Sequence, residues 1–185
     1  MTNGAELPIS GVIAFDPEIC TGCGTCELVC SSRHEGISNP KLSCITIYNN
    51  SLDGEYTCDV CNQCQYPGCL SACTANAILV DQATGARYID DETCVDCGLC
   101  YEACPFTPDR AMIKIRVVDG QERYFKCDLC KDRPYGPLCV QFCPTKALTF
   151  VTAAARKRPH KHEEDSGEGK VVNIARKDFF KPSGG

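Results

Sequence analysis

Apolar positions in this chain come in short runs separated by polar turns, never in long stripes. Runs rich in β-branched and aromatic residues at 45–48, 77–80, 112–118 and 148–151 each predict a strand. Residues 81–86 are polar and lead into 87–89, which predicts a turn and a partner strand. Asp119-Gly120, between 112–118 and 122–125, is a hairpin signal. Short helical turns are predicted at 99–103 and 138–142. No apolar run approaches the roughly 18 to 20 residues of a membrane-spanning helix, so direct membrane insertion is not expected. The pattern predicts an α+β fold assembled from small repeating units.

Composition changes that picture. A chain of 185 residues is usually one domain, and burying about 70% of its unfolded surface needs a large apolar supply. Hydrophobic residues make up 43%, but 18 residues of the chain are cysteine, and Trp is absent. With the cysteines set aside, the apolar content is thin, so something besides aliphatic packing should fill the interior. The first residues, MTNGAELPISG, show no basic or apolar leader, so the expectation is a cytoplasmic protein. In that compartment a chain so rich in cysteine points to metal or redox chemistry rather than disulfides. A net charge of -5 gives no general attraction to nucleic acid or to an anionic membrane.

The cysteines are spaced regularly. Cys20, Cys23, Cys26 and Cys30 follow C-x2-C-x2-C-x3-C, and Cys94, Cys97, Cys100 and Cys104 repeat it. Cys61, Cys64, Cys69 and Cys73 follow C-x2-C-x4-C-x3-C, and Cys127, Cys130, Cys139 and Cys143 follow C-x2-C-x8-C-x3-C. Cys44 and Cys58 are left over. A loop with a cysteine at every third residue can reach three iron corners of one cubane cluster. In the bacterial ferredoxin run the fourth cysteine serves the other cluster of a pair. Pro105 and Pro144 follow the fourth cysteine of the third and fourth motifs, whereas Ser31 and Thr74 stand there in the first two. Crowded motifs suit disulfide geometry poorly. Structural zinc is the competing reading, because Cys127, Cys130, Cys139 and Cys143 alone would pass for a zinc site.

The repeat of cysteine loop, short helix and strand divides the chain into a segment at 1–11, a cysteine-rich domain at 12–151 and a tail at 152–185. The tail reads either as a solvated segment or as an arm for a partner subunit, with Val171, Val172, Ile174, Phe179 and Phe180 as anchors. His34, His160 and His162 read as ordinary surface or tail residues. No Walker A sequence, complete GxGxxG or Ser-His-Asp set is visible, so no bond chemistry is expected of the chain alone.

Over residues 12–151 the four-motif layout resembles the iron–sulfur electron-transfer subunits that accompany molybdenum and tungsten enzymes. CELVCSSRHEGISNP, from Cys26 to Pro40, and CNQCQYPGCLSAC, from Cys61 to Cys73, carry the resemblance. One branch is especially similar: the small subunit that partners the tungsten subunit of class II benzoyl-CoA reductase, in anaerobic aromatic degradation. Partners in an aldehyde oxidoreductase, a carbon monoxide dehydrogenase or a hydrogenase are the alternatives. The resemblance implies nested ferredoxin-like modules holding four 4Fe-4S clusters, or three if one motif is degenerate. The implied ligand sets are Cys20, Cys23, Cys26 with Cys143; Cys127, Cys130, Cys139 with Cys30; Cys61, Cys64, Cys69 with Cys104; and Cys94, Cys97, Cys100 with Cys73. Cys58-Asp59-Val60-Cys61 also looks like Cys127-Asp128-Leu129-Cys130, so Cys58 competes with Cys64; the family register favours Cys64. Implied partners are a large tungsten or molybdenum catalytic subunit and a further electron-transfer protein or flavoprotein. Cys44, beside a predicted strand, reads as a small buried hydrophobe.

Overall fold

Eight strands pair two by two in the computed structural model, which describes residues 7–50, 54–107 and 109–156. His160, His162 and the five apolar tail positions lie outside the described residues. In chain order the elements are β1 (Val12–Phe15), α1 (Thr25–Glu35), β2 (Ile45–Asn50), β3 (Glu55–Val60), α2 (Gly68–Ala72), β4 (Ile78–Val80) and β5 (Arg87–Ile89). They continue with α3 (Leu99–Glu102), β6 (Ile113–Val118), β7 (Gln121–Lys126), α4 (Leu138–Gln141), β8 (Leu148–Val151) and α5 (Ala153–Arg156). The fold is α+β, as expected. The strands expected at 45–48, 77–80, 87–89, 112–118, 122–125 and 148–151 are all present within a few residues. Asp119 and Gly120 both have positive φ, 52° and 79°, as a two-residue hairpin turn between β6 and β7 requires.

The pattern did not reveal β1, β3 or α5, whereas α1 and α2 cover the stretch between the third and fourth cysteines of their motifs, where the repeat places a short helix. β1 is only VIAF, too short for periodicity to separate strand from helix, and in β3 burial is confined to Cys58, Asp59 and Val60. α1 runs on past Cys30 because Ser31, not proline, follows it. The fully buried Ser31 hydroxyl donates to Glu27 O (3.0 Å) and accepts from Asn39 N–H (2.9 Å), tying the returning chain to the helix. α3 and α4 are single turns that stop before Cys104-Pro105 and Cys143-Pro144.

Strand pairing is the main organising feature. All four ladders are antiparallel: β2 with β3 and β6 with β7 are hairpins, β4 with β5 joins the middle of the chain, and β1 with β8 joins its two ends. The strand leading into the first motif therefore lies beside the strand leaving the fourth. The strand leading into the third lies beside the strand leaving the second. α1 packs on α4 and α2 on α3 to match.

A two-stranded ladder is marginal alone, so each must lean on a shared interior. That interior is unusual: of 24 buried hydrophobic residues among those described, eleven are cysteines. One cluster gathers Ile13, Ile45, Val60, Phe125 and Leu148 with Cys26, Cys30, Cys127, Cys139 and Cys143; a second gathers Ile78, Met112 and Ile113 with Cys100 and Cys104. Between them runs a polar seam. Gln63, 1% exposed, donates from Nε2 to Cys127 O (2.7 Å) and Arg87 O (3.3 Å), and its Oε1 accepts from Arg87 N–H (2.7 Å).

Residues 153–156, expected in the tail, instead form the last helical turn. Arg156 folds inward and donates to Ser10 O (3.1 Å), Gly11 O (3.3 Å) and Gln63 O (3.2 Å). Gly85, at φ +72°, closes the β4–β5 turn against the N-terminal segment, and a Cβ there would sit 2.6 Å from Ile9 O. Gly85→Ala should cost about 1–3 kcal/mol, lowering the midpoint of thermal denaturation by about 2–4 °C per kcal/mol. An unchanged midpoint would refute the close approach.

Candidate metal centres

All 18 cysteines are free thiols. What distinguishes sixteen of them is the backbone around them. The residue two positions after the first cysteine of each motif adopts positive φ: Gly22 at 63°, Gln63 at 49°, Asp96 at 53° and Leu129 at 60°. Gly22 suits that conformation and Asp96 tolerates it, whereas Gln63 and Leu129 are held in a sparsely populated region. The turn aims amide N–H groups at sulfur. Gly22 N–H donates to Cys20 Sγ (3.4 Å), Gln63 to Cys61 Sγ (3.5 Å) and Leu129 to Cys127 Sγ (3.4 Å). Hydrogen bonds to sulfur stabilise a thiolate and are one of the terms that set cluster potentials.

This geometry bears on the rivalry between Cys58 and Cys64. Two residues beyond Cys58 lies Val60, still in β3, whereas Cys61-Asn62-Gln63-Cys64 reproduces the turn of Cys127-Asp128-Leu129-Cys130. Cys58 is buried near Cys20 and Cys26 and next to Arg110, whose guanidinium donates to Cys58 O (2.5 Å) and Asp59 Oδ1 (2.7 Å). Its thiol is pushed up strongly, by burial first, as suits a small buried hydrophobe.

The fold gathers the motif cysteines from distant stretches of chain. Cys143 comes to Cys20 and Cys26: burial raises the Cys20 thiol against the Gly22 hydrogen bond, and like charge from Cys143 and Cys23 adds to it. Burial pushes Cys26 up to about 12, with further contributions from Glu27, Cys23 and Cys143. Cys30 comes to Cys127, Cys130 and Cys139; all three thiols are raised, chiefly by burial, and Cys30 adds like charge to each. Cys104 comes to Cys64 and Cys69. Burial raises both, Cys69 to about 11, and Cys61 and Cys104 add like charge. Cys73, Cys94, Cys97 and Cys100 line one cavity, and burial takes Cys100 to about 11.

The thiols that burial raises, Cys26, Cys127 and Cys139 among them, hold their protons more tightly than a free cysteine, so filling such a site with metal releases protons. The four thiol sulfurs of each set, buried to half-buried except for the exposed Cys23 and Cys97, sit beside an N–H donor turn and form a soft all-sulfur donor set. It fits a cluster bound by cysteine thiolates.

Several contributing residues were not evident in the sequence. His34 is exposed, as its surface reading expected, and its Nε2 also lies 3.5 Å from Asp128 Oδ1 and 3.9 Å from Cys130 Sγ. Cys44 is buried as expected but not remote: its N–H donates to Cys30 Sγ (3.4 Å), and its thiol hydrogen bond holds Cys30 below the ordinary thiol range. Lys126, Arg87 and Gln63 carry no sequence signal beyond two charges in apolar strands and a glutamine inside CNQC.

Comparison with known proteins agrees with the geometry. Residues 52–153 match the 4Fe-4S dicluster domain and residues 12–35 a 4Fe-4S binding domain. The polyferredoxin-like subunit of aliphatic sulfonate oxidoreductase from Pyrococcus furiosus is 36% identical over 170 residues, spanning 90% of this chain and 92% of that one. The formate dehydrogenase iron-sulfur subunit of Haemophilus influenzae is 30% identical over 74% of this chain. The subunit beta of NADH-dependent phenylglyoxylate dehydrogenase from Aromatoleum evansii is 34% identical over 77%. The chain spans 49% and 30% of the length of those last two. Among solved structures, the active site complex BamBC of benzoyl-coenzyme A reductase aligns with a TM-score of 0.45 at 24% identity, over 77% of each chain. By its motifs and by these relatives, the chain is a member of the 4Fe-4S dicluster domain family, the iron–sulfur subunits of oxidoreductases.

Proposed function

We propose that the chain is a wire of four 4Fe-4S clusters in two nested modules, relaying single electrons between a redox partner and a large catalytic subunit. The pairing of β1 with β8 and of β4 with β5 carries this reading, because it sets the first motif beside the fourth and the second beside the third. The proposed ligands are Cys20, Cys23, Cys26 and Cys143; Cys127, Cys130, Cys139 and Cys30; Cys61, Cys64, Cys69 and Cys104; and Cys94, Cys97, Cys100 and Cys73. Each set is named below by its first cysteine. When bound, the clusters supply one-electron redox chemistry and nothing else.

The protein's own part is placement. Cys26 to Cys30 and Cys139 to Cys143 tie the Cys20 and Cys127 sites together, and Cys69 to Cys73 and Cys100 to Cys104 tie the inner two. Cys61 lies close enough to Cys127 to add to the cost of charging it, which supports a linear order: Cys20 site, Cys127 site, Cys61 site, Cys94 site. Cys23 and Cys97 are exposed, so the two ends of that row reach the surface, where electrons can pass to and from partners.

For the catalytic partner we propose a tungsten or molybdenum oxidoreductase subunit. The motif resemblance favours benzoyl-CoA reductase. The 36% identity that runs through nine-tenths of both chains favours a second reading, a partner of the aliphatic sulfonate oxidoreductase kind. Identifying the large subunit that co-purifies from the native source separates them. No helix among the described residues is long and apolar enough to cross a membrane, which is in keeping with a cytoplasmic complex.

Metal analysis tests the wire directly. The anaerobically purified protein should be brown and carry about 16 iron and 16 acid-labile sulfide per chain, whereas a colourless, folded, zinc-loaded protein would refute it. Cys64→Ala should lose about a quarter of the iron while Cys58→Ala keeps it all; the reverse would move the ligand to Cys58.

A further inference from the structure

The four sites are not electrostatically alike. Three cations converge on the Cys61 site. Arg87, 1% exposed, is clamped against the Cys61–Cys64 turn because Gln63 bonds its backbone N–H and C=O at once. Its Nη1 donates to Gly85 O (2.5 Å), but Nε and Nη2 are buried without any partner. Lys126, 6% exposed, donates to Arg87 O and to Cys127 O, the latter at 2.9 Å. Arg156 caps the same turn through Gln63 O. Among the described residues no carboxylate pairs with any of the three.

A buried cation without a counter-charge is costly, so the compensating charge must lie nearby. The anionic groups in reach are the thiolates. Burial depresses the Arg87 guanidinium and Arg156 adds to this, while Cys64, Cys61 and Cys69 oppose it. Burial alone would also depress Lys126, yet Cys61, Cys127 and Cys69 hold it above the ordinary lysine value. Arg156 faces Cys64 and Cys61.

The neighbouring Cys94 site has the opposite surroundings. The Cys94 thiol points at Asp96 Oδ1 (3.7 Å), which also accepts from Tyr124 N–H (3.3 Å), and the partly exposed Arg123 pairs with Asp96 Oδ2 at 2.6 Å.

We infer that Arg87, Lys126 and Arg156 make the Cys61 site the higher-potential member of the inner pair, so that an electron on the wire rests there and the unpartnered Arg87 donors face the group it holds. Reduction adds one negative charge at the site. Fixed positive charge in a dry interior stabilises that state far more than it would in water. The Cys94 site, beside Asp96, is then reduced only after its neighbour. The inference rests on the four-cluster reading. A failure of that reading appears as iron missing from the Cys61 set, whereas a failure of the inference appears as an unmoved potential at full iron content.

The test is an EPR-monitored redox titration of the full-length, cluster-loaded chain. Cys69→Ser marks the spectral component belonging to the Cys61 site, and Cys100→Ser the one belonging to the Cys94 site. In the unaltered protein the first should have the higher midpoint. Lys126→Gln should lower the reduced-to-oxidised ratio of that component at least tenfold at fixed potential, a 59 mV shift for one electron. Arg156→Gln, at the periphery of the fold, should move it the same way by less, and Asp96→Asn should raise the Cys94 component instead. If Lys126→Gln does not retain iron, Arg156→Gln alone decides. A higher midpoint for the Cys94 component, or an unmoved Cys61 component in a variant with full iron, would overturn the inference.

Discussion

Thiolate coordination is the constraint on which the rest of this molecule depends. Among the described residues, four two-stranded ladders and five α-helices, four of them of only four or five residues, cannot sustain one another. Nearly half of the buried hydrophobic residues among those described are cysteines, and aliphatic side chains such as Ile45, Ile113 and Leu148 pack with them in two separate clusters rather than in one continuous core. On the proposed ligand assignment, the interior closes when inorganic clusters bridge the sulfur sets. The same residues that carry the electrons thus hold the fold.

That dual role accounts for the local strain. Gln63 and Leu129 occupy positive φ because the amide N–H must face sulfur, and a rigid bridged loop can impose a conformation that a free loop would avoid. It also accounts for the polar seam. Gln63 and Lys126 bond to main-chain carbonyls of the neighbouring half, so the two halves are registered by hydrogen bonds at the point where the middle sites meet.

Much of this was legible in the sequence because ligand spacing is a covalent property of the chain. C-x2-C-x2-C-x3-C dictates a tight loop followed by a helical turn whatever surrounds it. β-branched runs such as 112–118 and 148–151 dictate strands. What stayed hidden depends on contacts far apart in sequence. β1 is four apolar residues whose partner is β8, more than 130 residues away, and no local pattern announces that. Arg87 and Lys126 look like ordinary strand charges; their meaning comes from the thiol sets that folding brings to them. The helical continuation through Ser31 was marked by the missing proline, which read only as a departure from the motif.

The central claim is that clusters and core are the same thing, and removing iron tests it most directly. Iron should be chelated anaerobically, with thiols kept reduced, and the apo-protein followed by near-UV circular dichroism and amide hydrogen exchange. The account predicts loss of the tertiary signal and of protection in β1, β2, β7 and β8, because the sites are organised only when filled. A native-like spectrum with those strands still protected would contradict it.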